Sequence, residues 1–449
     1  MEKLFGTDGV RGVANRDLTP LLAMQLGMAA ATVLSNGNHA PQVLVGRDTR
    51  LSGDMLEAAL VAGLCAAGAK VTLLGILPTP AVAYCTKNSH ADAGAVISAS
   101  HNPFEDNGIK FFSVDGCKLP DKVEEDIEGL VQRWEHIPRA RGEHLGSVQR
   151  DSEWIDQYIA HLIASTGCSL KGMRIVVDGA NGAAYSIAPR VLSQLGAEVI
   201  PIHCTPNGVN INAGCGSLHT DSMRQTVKEQ RADAGLSFDG DADRVIMSDE
   251  RGNEVDGDYI MAMSAIHLKQ ANRLRNQVLV GTIMSNLGLE EAMKTHGIHL
   301  ERTRVGDRYV AERMRELDAV LGGEQSGHII FADYTTTGDG LLTALQVLAL
   351  MQRTGKPLSQ LMRVMEKYPQ IIRNVKVCDK HAWEKYERKE EVEAWALQQL
   401  GNPSRVNIRP SGTEPVVRIM IEATDLARME QVAAELERIV LRVCGEPEE

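Results

Sequence analysis

Val43-Leu44-Val45-Gly46 is a short apolar run that stops on a glycine, and the chain returns to it twice, as Ile175-Val176-Val177-Asp178-Gly179 and Val278-Leu279-Val280-Gly281. A stretch of helical character follows each run. Each then reaches a glycine and a second strand: Gly68-Ala69-Lys70-Val71, Gly196-Ala197-Glu198-Val199 and Gly297-Ile298-His299-Leu300. A third short strand leads in each case to a polar loop: Ser98–Pro103, Asp239–Arg244 or Gly322–His328. Self-similarity of this kind points to one β-α-β-α-β unit used three times. Continuous apolar strands alternating with helices imply mainly parallel sheets covered on both faces. Right-handed crossovers place the loops that follow the strands on one edge, where ligands bind in open sheets. The repeat therefore predicts three polar loops in equivalent places of three similar α/β domains, facing a central cleft. Short β-α-β patterns also recur by coincidence, so the chemistry of the loops must carry the function.

Outward from the repeat, residues 133–154 are charged and include Pro138, which suits a linker. Further boundaries fall near Val255–Asp258 and Tyr368-Pro369. The expected division is 1–150, 151–256, 257–368 and 369–449. The pattern changes in the last part. Ile371–Val377 and Val416–Glu422 read as strands and Glu384–Leu400 as a helix. Leu426, Met429, Val432, Ala433, Leu436 and Val440 form an amphipathic stripe, with Thr424 or Asp425 as N-cap. This predicts a smaller C-terminal α+β domain.

The 449 residues are 43% apolar and 24% charged, ordinary for a globular chain with several cores. Lys and Arg total 47 against 59 Asp and Glu, a formal charge of −12. That excludes the basic face of a nucleic-acid binder, and any anion site must be locally basic. No apolar run reaches about 18 residues, which argues against a membrane span. Met1–Gly6 carries no apolar signal core, so a cytoplasmic protein is expected. Eight scattered cysteines form no C-x-x-C pair, which favours free thiols in a reducing compartment.

The loops differ in chemistry. In Ile97-Ser98-Ala99-Ser100-His101-Asn102-Pro103, proline pushes Asn102 out of the helical region, and Ser100 sits where a strand stops. A hydroxyl beside an imidazole there is a candidate nucleophile or phosphate carrier, or an ordinary turn residue. Asp239-Gly240-Asp241-Ala242-Asp243-Arg244 offers three carboxylates at alternate positions, suited to a hard divalent cation. The EF-hand spacing is also met, with Glu250 closing it, but Arg244 stands where that loop needs glycine, and Val245-Ile246-Met247 reads as a strand. Arg409-Pro410-Ser411-Gly412-Thr413-Glu414-Pro415, with Arg418 beyond, combines a guanidinium, hydroxyls and free backbone N–H groups. It suits a phosphate dianion or forms a plain surface turn. Glu324 and Ser326 in Gly322–His328 suit sugar hydroxyls, or the loop is a plain turn. Arg11, between Gly9 and Gly12, can reach a phosphate. Asn107-Gly108 and Asp115-Gly116 favour tight turns and bracket a β-extension that would carry Lys110 near Ser100.

With these loops in hand, the chain resembles the α-D-phosphohexomutase family. The likeness spans nearly the whole length, with four signatures in order: Ser98–Pro103, Asp239–Arg244, Gly322–His328 and Arg409–Pro415. The forms Phe5-Gly6-Thr7-Asp8-Gly9-Val10-Arg11-Gly12 and Gly323–His328 are most similar to the bacterial branch acting on glucosamine phosphates, which feeds UDP-N-acetylglucosamine synthesis. The resemblance implies that Ser100 is a phosphoserine. It implies Asp239, Asp241 and Asp243 as ligands of one Mg²⁺, shared with the Ser100 phosphate. Glu324 and Ser326 would grip the sugar. Arg409, Ser411, Gly412, Thr413 and Arg418 would hold the phosphate that is not reacting. Arg11, Lys110, His101 and Arg244 would line the reacting centre.

A sugar 1,6-bisphosphate would be intermediate and activator, the partner a small hexosamine phosphate, and the subunits a homodimer, as relatives commonly are. Lys110 is the candidate general base, on the expectation that neighbouring cations depress its pKa. Glucose or mannose phosphates are the rival substrates. A metal-dependent sugar phosphatase is the rival reaction; a kinase lacks its G-x-x-x-x-G-K-[ST] loop.

Overall fold

The computed structural model describes residues 4–6, 8–35, 39–411 and 415–445. The chain divides into two compact units, Met1–Met284 with His296–Val364, and Ser285–Thr295 with Met365–Glu449.

The first unit holds three sheets. The first comprises β1 (Val10–Val13), β2 (Gln42–Arg47), β3 (Lys70–Ile76), β4 (Ala93–Ile97), β5 (Asp106–Ser113) and β6 (Ser147–Arg150). The second comprises β7 (Arg174–Asp178), β8 (Glu198–Ile202), β9 (Ala234–Phe238), β10 (Val245–Asp249) and β11 (Glu254–Val255). The third comprises β12 (Val278–Thr282), β13 (His299–Thr303), β14 (Leu321–Gly323) and β15 (Ile329–Phe331). Their orders, β1-β5-β4-β2-β3-β6, β11-β10-β9-β7-β8 and β13-β12-β14-β15, contain the same four-strand core. In each core three strands run parallel and the fourth is antiparallel. The repeat read from Val43–Gly46 and its copies is thus real. It gives the expected α/β fold with mainly parallel, mixed sheets. The three polar loops are the β4–β5, β9–β10 and β14–β15 connections, each at the carboxyl end of a parallel strand.

Burial explains why these strands show no apolar–polar alternation. All five residues of β4 are buried, and so are all five of β9 and of β12. Strands covered on both faces lose the period-two signal.

Two local expectations fail. Asn107-Gly108 is not a turn; both residues lie inside β5, and Gly108 pairs with Arg11 of β1. The glycine is needed there for close approach, since a Cβ would come within 2.6 Å of Ser98 O and 3.0 Å of Arg11 Cγ. Asp115-Gly116 does turn, with Gly116 at φ +72°. The charged segment 133–154 is not only a linker either, because Ser147–Arg150 forms β6 beside β3.

The second unit is a three-stranded antiparallel sheet, ordered β16 (Gln370–Lys376), β18 (Val416–Ala423), β17 (Ser404–Pro410). Helix Leu426–Cys444 buries Met429, Val432, Ala433, Leu436 and Val440, the stripe read from the sequence. Asp425, not Thr424, is its N-cap, accepting from Arg428 N. The helix expected over Glu384–Leu400 is two, Ala382–Lys385 and Lys389–Leu400. A helix from earlier in the chain, Leu287–Thr295, belongs to this unit. Asn286 precedes it and donates to Glu422 Oε1 at 3.0 Å, while Leu287 N donates to Glu422 Oε2 at 3.0 Å. The fully buried Glu422 is thereby held by hydrogen bonds, as a buried charge requires. No helix among the described residues is long and apolar enough to cross a membrane.

Candidate active site

Ser100 is buried and left-handed, at φ +51°. An L-residue rarely holds that backbone unless its surroundings over-determine it. Here they do. Ser98 Oγ donates to Asp48 at 2.6 Å and accepts from Ser100 N at 3.0 Å. Arg50, paired with Asp48 at 2.9 Å, donates to the carbonyl oxygens of Ser100, Asn102, Pro103 and Asp106. One buried guanidinium therefore templates the whole loop.

The result is that Ser100 Oγ donates to Asp239 Oδ2 at 2.7 Å and lies 3.3 Å from His101 Nδ1. Burial, with Arg244 and Arg11 nearby, pulls the His101 imidazole down to about 4, so it is neutral at physiological pH.

Asp239, Asp241 and Asp243 are all buried, and one oxygen from each lies within 4.8 Å of the others. Ala242 at φ +57° produces the turn that brings them together. Burial pushes Asp239 well above the usual carboxylate range, and the charges of Asp243 and Asp241 add to this. Burial opposes ionisation of Asp243 too, but His328, Lys110 and Arg244 outweigh it and hold its pKa low. Asp241 Oδ2 accepts from Thr79 Oγ1 at 2.7 Å and Lys110 Nζ at 2.9 Å. Asp241 Oδ1 and Asp243 Oδ1, although buried, have no hydrogen-bond partner. Orphaned buried anionic oxygens are costly. A converging set of them is the donor set of a hard divalent cation. No helix exits the loop; β10 follows it, so the EF-hand reading is excluded.

Lys110 is buried, and its neighbours are anions: Asp8 at 3.0 Å and Asp241 at 2.9 Å. Burial disfavours its charge, yet these carboxylates more than compensate and raise its pKa. The expectation of a depressed Lys110 acting as general base is therefore corrected. The surrounding carboxylates favour its charged form. Asp8 also pairs with Arg11 and with Lys118 Nζ at 2.6 Å. Burial resists ionisation of Asp8, but Lys110, Lys118 and Arg11 hold its pKa well down.

Arg244 forms a backbone bridge with His328, joining the second loop to the third. Glu324 Oε1 accepts from Gly306 N at 2.9 Å, while Ser326 Oγ is buried with no partner. His328 escaped the sequence reading. Its Nδ1 lies 3.5 Å from Asp243 Oδ2, and its Nε2 lies 3.1 Å from Gly338 N. Burial disfavours its charge, but Asp243, Asp307 and Glu324 outweigh this and raise the imidazole pKa to about 9, so its charge faces Asp243. Thr79 carries no local motif, and Asp8 and Arg50 lie in glycine-rich turns that give them no role; their contacts show only once the strands are aligned.

Arg409, Ser411 and Arg418 lie in the second unit. Arg409 of β17 stands opposite Arg418 of β18. Burial and the Arg418 charge lower the Arg409 pKa. Lys380 Nζ donates to Ser411 O at 2.7 Å. Two guanidinium groups held side by side suit an anion. Gly412 and Thr413 lie outside the described residues.

A second cluster, Asp178, His203 and Cys215, has its carboxylate engaged by Ala180 N, Gly216 N and Ser237 Oγ. It braces the end of β7.

Sequence comparisons match the four successive domains of one family, "Phosphoglucomutase/phosphomannomutase". Alpha/beta/alpha domain I covers residues 2–137, domain II 156–252, domain III 256–368 and the C-terminal domain 373–439. The chain is an α-D-phosphohexomutase. Phosphoglucosamine mutases of Desulforamulus reducens and Moorella thermoacetica are each 52% identical to it, over 98% of this chain and 99% of theirs. Among solved structures, a phosphoglucomutase/phosphomannomutase family protein from Burkholderia thailandensis superposes with TM-score 0.85 at 23% identity, covering 100% of this chain and 99% of that one. The N-acetylphosphoglucosamine mutase of Aspergillus fumigatus, solved with GlcNAc-6P and magnesium, gives TM-score 0.68 at 16% identity, covering 98% and 96%. At these identities the structures speak to the fold. An α-D-phosphohexomutase implies metal dependence, and the acidic triad of this one has the open oxygens to meet it.

Proposed function

We propose that this α-D-phosphohexomutase is a mutase of glucosamine phosphates. It interconverts glucosamine 6-phosphate and glucosamine 1-phosphate in the cytoplasm, through a phosphorylated Ser100 and a 1,6-bisphosphate. The observation that carries the reading is the Ser100 Oγ–Asp239 contact at 2.7 Å beside two unsatisfied carboxylate oxygens. The 52% identity to phosphoglucosamine mutases supports the choice of sugar.

Asp239, Asp241 and Asp243 would hold Mg²⁺, which when bound offsets the charge of the transferring phosphoryl group. Phosphoryl transfer otherwise asks a protein for alignment and neutralisation. Lys110 and Arg11 supply positive charge, and Arg244 ties the metal loop to the sugar loop. Glu324 and Ser326 orient the sugar hydroxyls.

In the first step the P–Oγ bond of phospho-Ser100 breaks and a bond from phosphorus to the sugar O1 forms, while O1 gives up its proton. His101, whose Nδ1 lies 3.3 Å from Oγ, would take that proton and return it. The bisphosphate then turns over. In the second step its 6-phosphoryl passes to Ser100, and O6 recovers a proton. Arg409, Ser411 and Arg418 serve as the cradle for the spectator phosphate.

The test is an assay of the Ser100-phosphorylated protein with Mg²⁺ on the 6-phosphates of glucosamine, glucose and mannose. The reading requires glucosamine to have the highest kcat/KM, with no inorganic phosphate released. Preference for glucose or mannose would move the protein within its family, and stoichiometric phosphate release would make it a phosphatase.

A further inference from the structure

Asn212 lies between β8 and β9, in the second repeat, yet it reaches the Ser100 loop of the first. Its Nδ2 donates to Ser100 O at 2.9 Å and to Asn102 O at 3.1 Å. Arg50 Nη2 donates to the same two oxygens, at 2.9 and 2.8 Å. Each carbonyl has two lone pairs, so both donors are accepted together. Asn212 is itself anchored, its N–H donating to Ala180 O at 2.9 Å, and its backbone is left-handed at φ +57°. Asparagine tolerates that conformation better than most residues. Gly240, in the metal loop, closes the arrangement. A Cβ there would come within 2.5 Å of Ser100 O and 2.9 Å of Asn212 Nδ2.

We infer that Asn212 is a positioning residue for phosphoryl transfer, holding the carrier serine in register with the metal loop. The two donors divide the work. Arg50 belongs to the same repeat as Ser100 and fixes the shape of its loop. Asn212 stands on the repeat that carries Asp239, Asp241 and Asp243, so it fixes the distance between that loop and the carboxylates. Without it the left-handed backbone at Ser100 keeps Arg50 and Ser98 but loses a backbone tie to the second repeat. The serine then samples orientations in which Oγ no longer faces Asp239. A loss of alignment at the reacting atoms slows the chemical step and leaves remote sugar contacts intact.

This inference rests on Ser100 being the phosphoryl carrier, and the experiment separates the two ideas. Asn212→Gly and Asn212→Asp both keep a residue that tolerates left-handed backbone while removing the donor. For each, kcat on glucosamine 6-phosphate is expected to fall about 10- to 100-fold, with KM changed less than about threefold. Amide hydrogen exchange in the peptide spanning Ile97–Asp106 is expected to quicken, with the melting temperature near wild type. Wild-type kcat together with wild-type exchange in the glycine variant would overturn the proposal. So would a rise in KM with kcat unchanged. Should the wild-type protein transfer no phosphoryl group, the carrier reading falls, and the exchange comparison by itself decides whether Asn212 holds the loop.

Discussion

Ser100 Oγ donates to Asp239 Oδ2 across 2.7 Å, although the two residues stand 139 positions apart. The contact joins the β4–β5 connection to the β9–β10 connection, so Ser100 and the carboxylates meet at the ends of two different sheets. Replacing the hydroxyl removes the proposed phosphate carrier. Ser100→Ala should lower mutase activity by at least about 10³-fold and abolish incorporation of phosphate from a sugar bisphosphate. Intact mass measured before and after incubation with that bisphosphate checks it. One lost hydrogen bond is worth only about 1 kcal/mol, so the variant should remain folded.

Three buried carboxylates repel one another when no cation lies between them. Asp239→Asn removes a carboxyl whose ionisation burial, Asp243 and Asp241 already oppose, while keeping an acceptor for Arg244 N, which lies 3.2 Å from Oδ1. In the presence of chelator the variant should therefore melt a few degrees above wild type. Its activity should be lost, and added Mg²⁺ should stabilise wild type more than the variant. Thermal melts with and without the ion test both halves.

Asp339 gives a pH signature of its own, although the Asp243 charge also reaches it. It caps helix Gly340–Thr354 by accepting from Leu342 N, and Tyr158 donates to it at 2.8 Å. Burial nonetheless pushes its carboxyl up to about 6 from the ordinary 3.8. A folded-state pKa above the unfolded value means the folded state binds the proton more tightly. The stability so gained is present below the unfolded value and is lost as pH rises through about 6. Two pKa units correspond to about 3 kcal/mol. Asn at this position takes no part in the titration, so Asp339→Asn should gain on wild type as pH climbs from about 4 to 7. Paired melting curves across that range read the difference directly.

In the second unit, Arg409→Ala removes half of the guanidinium pair on β17 and β18. A charged hydrogen bond to phosphate is worth about 1.5–3 kcal/mol, or roughly 10- to 100-fold in binding. KM for glucosamine 6-phosphate should rise by that factor. An unchanged KM would remove Arg409 from substrate binding.

Local spacing made part of this legible. Alternate aspartates at 239, 241 and 243 declare themselves in a six-residue window, and Asn102-Pro103 marks the end of the strand that presents Ser100. The three-fold repeat was readable because glycine turns punctuate it at fixed places. What stayed hidden are partnerships between distant polar side chains: His328 with Asp243, Thr79 with Asp241, Asp8 with Lys110, and the convergence of Arg50 and Asn212 on two carbonyls. None has a period or a spacing. The sign of the Lys110 shift was misjudged for the same reason, since Arg11 is its near neighbour by motif while Asp8 and Asp241 are its neighbours in space. Asn107-Gly108 misled because a turn dipeptide and a close-packed strand glycine look alike until Arg11 is laid against it.

The helix Leu287–Thr295 groups with residues 365–449 although some seventy residues separate them in the chain. A fragment begun at Met365 would strip the buried Glu422 of Asn286 Nδ2 and Leu287 N–H together. Recombination between relatives is constrained in the same way. A crossover at the start of β16 would pair a foreign carboxylate site with native donors, so exchanging this module intact means transplanting Ser285–Thr295 along with it.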